Sequence, residues 1–294
     1  MHEGAGPNRD FTLRCAGLSG LCRQTGDTRP YAIALLDGRV TSQHPALCSA
    51  RIHLRSPDAA ASRRASRHAL QVASILVGGS AATPELLGLC PGARLLNANV
   101  VDDAMLDGEI DAAACSERLA DAIGWAARAE ADVIVCGIEI VGAERAVWNP
   151  LWAAIAEAAR HGVRTIIPLG NESGVRQGAA HAHGAIWVLA GDWNGLWSPR
   201  ANIACAGGPV LAAPGFGIPV ALPEGGCAAA SGSSFAAAIV AGAFIVLRAN
   251  SKGTPPDAVW RALLSVRRST LHFATLDAGA AHRLLTSPQL EECA

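Results

Sequence analysis

Three serines stand at the start of an apolar run in residues 231–248. Ser231, Ser233 and Ser234 precede a stretch built mainly of Ala, Ile, Val, Phe and Leu. A serine at a helix start is well placed for nucleophilic chemistry, because free N–H groups and the positive end of the helix dipole lie there. The same position also suits a serine that only caps the helix. The run by itself leaves both interpretations open.

A nucleophilic serine needs a base and a carboxylate, and the chain offers a candidate for each. Asp37 ends the apolar run 31–36 and is followed by Gly38. Because functional groups of α/β enzymes lie at the carboxyl ends of parallel strands, Asp37 is a candidate site residue. A plain Asp-Gly turn is the alternative. His68 opens the apolar, helix-like segment 69–77.

Length and composition indicate a globular protein with a large core. Of the 294 residues, 50% are hydrophobic and 17% charged, and the formal net charge is −1. A charge so close to zero gives no field that favours nucleic acid or an anionic membrane. No uninterrupted apolar stretch reaches about 18 residues, so we expect no transmembrane helix. The N-terminus lacks the pattern of a signal peptide, and we therefore expect a cytoplasmic protein.

The cysteine pattern gives no support to a metal centre. The chain has nine cysteines, none of them in a Cys-x-x-Cys pair, and no cluster of acidic residues typical of a calcium site. We expect mostly reduced thiols, with one or two disulfides left open, and no metal or other cofactor.

Strand-like and helix-like segments alternate along the whole chain, which predicts an α/β fold with a parallel sheet wrapped by helices. The predicted single domain spans residues 18–287, after a flexible lead-in over 1–17 and before a tail over 288–294. Strands are predicted at 31–36, 94–101, 132–136, 163–169, 185–190 and within 203–213. Helices are predicted at 18–22, 69–78, 116–130 (capped by Ser116), 148–161 and 254–266, and residues 51–67 are predicted to be a surface connection.

The serine-rich segment resembles the nucleophile motif of the subtilisin-like serine proteases, or subtilases. That motif is Gly-Thr-Ser-x-Ala-x-Pro followed by Val-Ala-Gly, and residues 232–242 match it except for Ser233 and Ala238. Further segments resemble the family's Asp, His, Ala-Pro-Gly-Ala, Ala-Gly-Asn and Ala-Pro-Gly motifs in chain order: residues 34–40, 68–78, 90–93, 169–171 and 213–215. In the His segment, Ala69 and Leu70 replace the family's Gly and Thr.

The resemblance implies a three-layer α/β fold and a serine endopeptidase. It assigns Ser234 as the nucleophile, His68 as the general base and acid, and Asp37 as the carboxylate that orients the imidazole. It assigns the Asn171 side chain, with the N–H of Ser234, as the donors to the oxyanion. Peptide substrates of the family pair with a strand edge near the site, which corresponds here to Gly137, Ile138 and Glu139, with Gly170 as a further wall. Glu139 either lines the first specificity pocket and favours a basic residue, or is solvated at a strand end.

The Asp segment, with His44 and Pro45 after it, is similar to one branch of the subtilases, which includes the cyanobactin proteases. This branch matures ribosomally made peptides, so the resemblance implies a precursor peptide as the substrate, cleaved at a leader or follower segment. Two alternatives stay open. One is a degenerate subtilase that binds a peptide or acts as a scaffold, which the substitutions at Ala69, Leu70 and Ala238 favour. The other is a macrocyclase, although the short stretch between Asp37 and His68 leaves little room for the lid of such enzymes.

Overall fold

Most of the chain is described by a computed structural model. The described residues are 9–23, 26–55, 61–79, 84–106, 111–138, 145–171, 183–191, 207–266 and 274–287. Glu139 and residues 172–182 lie outside these ranges, as do residues 203–206 of the strand predicted within 203–213.

Eight strands form one parallel sheet, which confirms the predicted fold class. The described residues contain ten strands in all: β1 (Ala32–Asp37), β2 (Arg51–Leu54), β3 (Arg94–Asn99), β4 (Val133–Cys136), β5 (Arg164–Pro168), β6 (Ala185–Gly191), β7 (Val210–Pro214), β8 (Ile218–Ala221), β9 (Cys227–Ala230) and β10 (Ala274–Thr275). The sheet order is β10-β7-β6-β5-β4-β1-β3-β2, with every neighbouring pair parallel. Strands β8 and β9 form a separate antiparallel pair.

Nine α-helices in the described ranges surround the sheet. They are α1 (Arg9–Cys15), α2 (Ser19–Arg23), α3 (Arg67–Val77), α4 (Asp103–Leu106), α5 (Ala112–Arg128), α6 (Asn149–Arg160), α7 (Ser233–Asn250), α8 (Pro256–Ser265) and α9 (Ala278–Thr286). Alternate residues of β1 point to opposite faces of the sheet, and each face has its own apolar core. Ile33 and Leu35 pack on the side of α3 and α7, whereas Ala34 and Leu36 pack on the side of α5 and α6. The site is therefore built on strands that are buried on both faces.

Helix α7 lies at the centre of the larger core. Nearly all of its side chains are buried, which explains why its sequence is apolar all round. A Cβ atom at Gly242 would overlap with the side chain of Leu89, so the glycine permits close packing there. By length and composition α7 is also the one helix of the described residues that could cross a membrane, yet 89% of it is buried inside the protein. Its apolar character is thus accounted for by the core.

Several predicted boundaries differ from the structure. Helix α5 begins at Ala112 after the cap Asp111, whose side chain accepts hydrogen bonds from Ala113 and Ala114, so the prediction that Ser116 caps it is wrong. Ser116 is instead buried within the helix. The predicted surface connection 51–67 contains the edge strand β2, and the predicted lead-in 1–17 contains α1 with a buried Leu13. Edge strands and short docking helices carry weak periodicity, which is why they were missed.

Candidate active site

Asp37 and His68 are joined at the carboxyl edge of the sheet. Asp37 is the last residue of β1 and is buried, and its Oδ2 atom lies 2.7 Å from Nδ1 of His68. The other carboxylate oxygen accepts a hydrogen bond of 2.6 Å from the Gly38 N–H. An ionised carboxylate only accepts hydrogen bonds, so the Nδ1 atom of His68 carries the proton. The Nε2 atom of His68 is therefore the acceptor end of the neutral imidazole.

His68 lies in the first turn of α3, which is fixed by a capping hydrogen bond. Ser66 is the N-cap, and its Oγ accepts from the Ala69 N–H at 3.1 Å. The negative charge of Asp37 raises the pKa of His68 above its usual value, and burial opposes this shift. Ala69 and Leu70, which follow the histidine, are fully buried core residues. They anchor the helix that carries the imidazole.

Gly137 makes room for the Asp37 carboxylate. It follows β4 directly, and its N–H donates to the Leu36 carbonyl at 2.7 Å. A Cβ atom at this position would overlap with Asp37 Oδ2. Gly137 therefore lies beside the carboxylate, and the half-buried Ile138 follows it at the strand edge where a substrate groove is predicted. The requirement for glycine at this contact was not recognised from the sequence, although its place directly after a buried strand was a signal.

The nucleophile candidate lies in the first turn of α7. The N-cap is Gly232, which has no side chain, so Ser234 is not the residue that caps this helix. Ser231, the first of the three serines, accepts a hydrogen bond from the Gly217 N–H and lies outside the helix. The ring of Phe235 contacts the His68 ring with 5.8 Å between centroids. This contact brings the first turn of α7 to the imidazole.

Two hydrogen bonds connect α7 to the end of β5. The Ser233 N–H donates to Asn171 Oδ1 at 2.8 Å, and the Gly170 N–H donates to Ser233 Oγ at 3.1 Å. Gly170 has a φ of +90°, a conformation that glycine adopts without strain. Because its oxygen is occupied, the Asn171 amide has its NH₂ group available as a donor. Ser233 has no role assigned from the sequence beyond its place at the helix start, and the structure shows it linking two site residues.

The structure brings Asp37, His68, Gly137, Gly170 and Asn171 to one edge of the sheet with the first turn of α7. No hydrogen bond joins His68 to Ser234 in the part of the chain that the structure describes. Hydrogen bonds between catalytic groups are often long in free enzymes and shorten when substrate binds. The arrangement offers a base with a defined tautomer, a hydroxyl at a helix start, and an amide donor beside it.

His44 and the described cysteines do not take part in this arrangement. His44 is buried, with its Nε2 atom 2.7 Å from the Leu222 carbonyl and its Nδ1 atom accepting from the Ala46 N–H. Seven cysteines lie within the described ranges, and all are free thiols. Burial raises the pKa of Cys136 to about 12 and that of Cys115 to about 11, so neither is a ready nucleophile. Within the described residues no group of three or more His, Cys, Asp or Glu side chains could hold a metal ion.

The fold and the site define a member of the subtilase family, whose family model matches residues 29–283. The chain belongs to this family. Among solved structures, the prenylagaramide maturation protease PagA is 26% identical with a TM-score of 0.75, covering 92% of this chain and 98% of PagA. The self-cleaved protease domain of PatA is also 26% identical, with a TM-score of 0.70 and coverage of 89% and 98%. The PatG macrocyclase in complex with peptide has a TM-score of 0.79 at 19% identity, with coverage of 95% and 98%, and shows the shared fold. No curated protein matches the chain at significant sequence similarity.

Proposed function

We propose that this subtilase is a serine endopeptidase that uses Ser234, His68 and Asp37. The observation that carries the proposal is the 2.7 Å bond between Asp37 and His68, which leaves the Nε2 atom of His68 as the free basic nitrogen. In the first step, His68 Nε2 takes the Ser234 hydroxyl proton while the oxygen attacks the scissile carbonyl carbon. His68 then gives that proton to the leaving amine, and an acyl-enzyme forms. Water then attacks the acyl-enzyme, again with His68 as the base. This step releases the new carboxylic acid and restores the Ser234 hydroxyl.

Negative charge develops on the substrate oxygen in this step, and the segment after β5 and the start of α7 supply the groups that would receive it. The Asn171 NH₂ group and the Ser234 N–H are the proposed donors. The bond from the Ser233 N–H to Asn171 Oδ1 supports this assignment, because it determines which end of the amide remains free. The helix start adds the positive end of its dipole.

The proposed substrate is a peptide, and more specifically a ribosomally made precursor that loses a leader or follower segment. The support is the likeness to PagA and PatA, described as a maturation protease and a protease domain, at 26% identity over nearly the full length of each. Gly137, Ile138 and Gly170 line the edge where the peptide would pair with backbone groups. Glu139 follows Ile138 in sequence and is the proposed contact for a basic residue before the cut.

A covalent probe tests the nucleophile directly. The full chain is incubated with a fluorophosphonate, and its intact mass is measured beside those of Ser234→Ala and Ser231→Ala. We expect one adduct in the wild type and in Ser231→Ala, and none in Ser234→Ala. Ser231 is the matched control because its hydroxyl only accepts from Gly217 outside the helix. A folded wild-type protein without an adduct would contradict the proposal and favour a subtilase that binds peptides without cleaving them.

A further inference from the structure

A cavity of about 350 Å³ opens one strand away from Asp37, at the same edge of the sheet. In the register of the parallel strands Asn99 of β3 lies opposite Asp37 of β1, and Asn99 lines the cavity. The remaining walls come from the loop after β1, the end of β2 and the segment before α3. The lining residues are Arg39, Leu54, Arg55, Ser62, Arg63, Asn97 and Asn99.

Among the described residues the lining is basic, with three arginines and no carboxylate. Arg55 is paired with Asp121 at the rim. Arg39 and Arg63 are exposed, and within the described ranges neither guanidinium is paired with a carboxylate. Asp103, which is not a lining residue, accepts a hydrogen bond from the Ser62 hydroxyl. Two guanidinium groups are therefore available to an anionic ligand.

The asparagines of the lining are already occupied by backbone groups. The amide of Asn97 donates to the carbonyls of Leu35 and Gly38 and accepts from the Val40 N–H. Asn99 donates to the Ser62 carbonyl. These bonds leave the arginines as the groups that can recognise a ligand.

One arginine side chain and the backbone that carries the other are also held by hydrogen bonds. Nη1 of Arg39 donates to the Arg63 carbonyl at 3.3 Å. The segment that carries Arg63 is tied to the sheet at both ends, by Ser62 N–H to Val101 O and by Ser66 N–H to Arg39 O, each at 2.9 Å. Because the backbone of the site is already ordered, less conformational entropy is lost when a ligand binds.

We infer that this cavity is a specificity site for an acidic side chain of the peptide substrate. The inference rests on the proposed peptidase function. Guanidinium groups bind carboxylates with two parallel hydrogen bonds. Leu54, 38% exposed, offers an apolar wall to the methylene groups of the bound acidic side chain. The cavity volume lies in the range of pockets that bind small molecules, which is enough for one acidic side chain. Its place beside the Asp37–His68 pair puts it within reach of a peptide bound for cleavage.

Binding of two short peptides tests the inference apart from catalysis. Fluorescein-labelled tetraglutamate and tetraglutamine are titrated into the full chain carrying Ser234→Ala, and fluorescence anisotropy is followed. We expect tetraglutamate to bind about tenfold tighter or more, because charge-assisted hydrogen bonds are stronger than neutral ones. Adding Arg39→Gln and Arg63→Gln should abolish the difference. Arg63→Gln alone, at an exposed side chain, should reduce it without affecting the fold.

A matched control separates the cavity from net charge. The double variant Arg261→Gln with Arg283→Gln removes two positive charges on α8 and α9, as many as the cavity double variant does. It should leave the preference for tetraglutamate over tetraglutamine unchanged. Equal binding of the two peptides, or an equal loss in this control, would overturn the inference. Displacement of the peptide by inorganic phosphate as readily as by unlabelled tetraglutamate would overturn it too, since the cavity would then bind anions without selecting a peptide. Fluorophosphonate labelling of the wild type reports on the peptidase function independently of all these results.

Discussion

The two halves of the candidate site are built in different ways. In the first half, Asp37 and His68 meet side chain to side chain, and one hydrogen bond of 2.7 Å fixes the tautomer of the imidazole. In the second half, α7 is fixed to the end of β5 by hydrogen bonds that each involve a backbone N–H. The geometry of the first half depends on a bond between two ionisable side chains. The geometry of the second half depends on the backbone conformation that places its N–H groups.

This difference predicts two kinds of sensitivity. The Asp37–His68 half should respond strongly to pH and to the removal of charge, because its central bond is between titratable groups. The Gly170–Asn171–Ser233 half should be insensitive to pH and sensitive to geometry. Phe235 contacts His68 from the second half, so it is the described side chain that links the two.

Replacing His68 should have the largest effect on the first half. We expect His68→Ala to lower kcat for peptide cleavage by a factor on the order of 10⁶, the size found when the histidine of subtilisin is removed. The cause is the loss of the acceptor for the Ser234 proton. Steady-state kinetics on an internally quenched peptide measures the effect. A loss of less than about tenfold would show that His68 is not the base.

Replacing Asp37 should cost less, on the order of 10⁴ in kcat, because Asp37→Asn keeps the shape but favours the wrong tautomer of His68. The same kinetic assay applies, with a thermal melt to show that the variant is folded. If Asp37→Asn cleaved at the wild-type rate, the comparison would fail, since the first half would then not depend on charge.

Replacing Asn171 probes the second half. We expect Asn171→Ala to lower kcat by roughly 10²–10³ with little change in KM, because a donor to the oxyanion is lost and the ground state is not contacted. The pH profile should keep its shape. A rise in KM with unchanged kcat would instead assign Asn171 to substrate binding.

Replacing Gly137 tests a steric contact between the first half and the neighbouring strand. The methyl group of Gly137→Ala would overlap with Asp37 Oδ2, so we expect a loss of about 1–3 kcal/mol in the free energy of unfolding and a kcat lowered about tenfold or more. Gly20→Ala on α2 is the control, since no atom lies within 4 Å of its added methyl. Denaturant titration and kinetics of both variants measure the effect, and equal behaviour would contradict it.

A change of pH should alter activity less than any of these substitutions, and it should change activity and stability in opposite directions. Asp37 raises the pKa of His68 above its usual 6.5, so kcat/KM should fall as the pH drops through that raised value and the base becomes protonated. Stability should change in the opposite sense. The contribution of the pair to folding is complete below about pH 6.5 and is lost as the pH rises through the raised pKa.

Asp37→Asn provides the comparison for both pH profiles. Without the carboxylate, the inflection of residual activity should move to lower pH, and the pH-dependent part of the melting temperature should shrink. An inflection that stayed in place would show that another group controls the titration.

The sequence predicted the sheet, the main helices and the segments that meet at the site. Buried strands such as β1 and β4 are continuous apolar runs, and the motifs around Asp37, His68 and Asn171 lie at strand and helix ends. It could not predict the contacts made across the chain. The overlap that makes Gly137 necessary, the link from Ser233 to Gly170 and Asn171, and the arginine cavity all depend on which distant segments become neighbours. The error at Ser116 has a local cause, because Asp111 competes with it as a cap and receives two N–H donors.

The central place of α7 also determines when during synthesis the site can exist. Helix α7 packs against α3 and against strands β4 to β7, which are all made before it. A ribosome therefore releases the Asp37–His68 pair long before it releases Ser234. The growing chain passes through a stage in which the sheet is largely complete but the nucleophile has not been translated. Under the proposed function, a nascent chain has no peptidase activity until Ser234 and the helix that carries it have emerged.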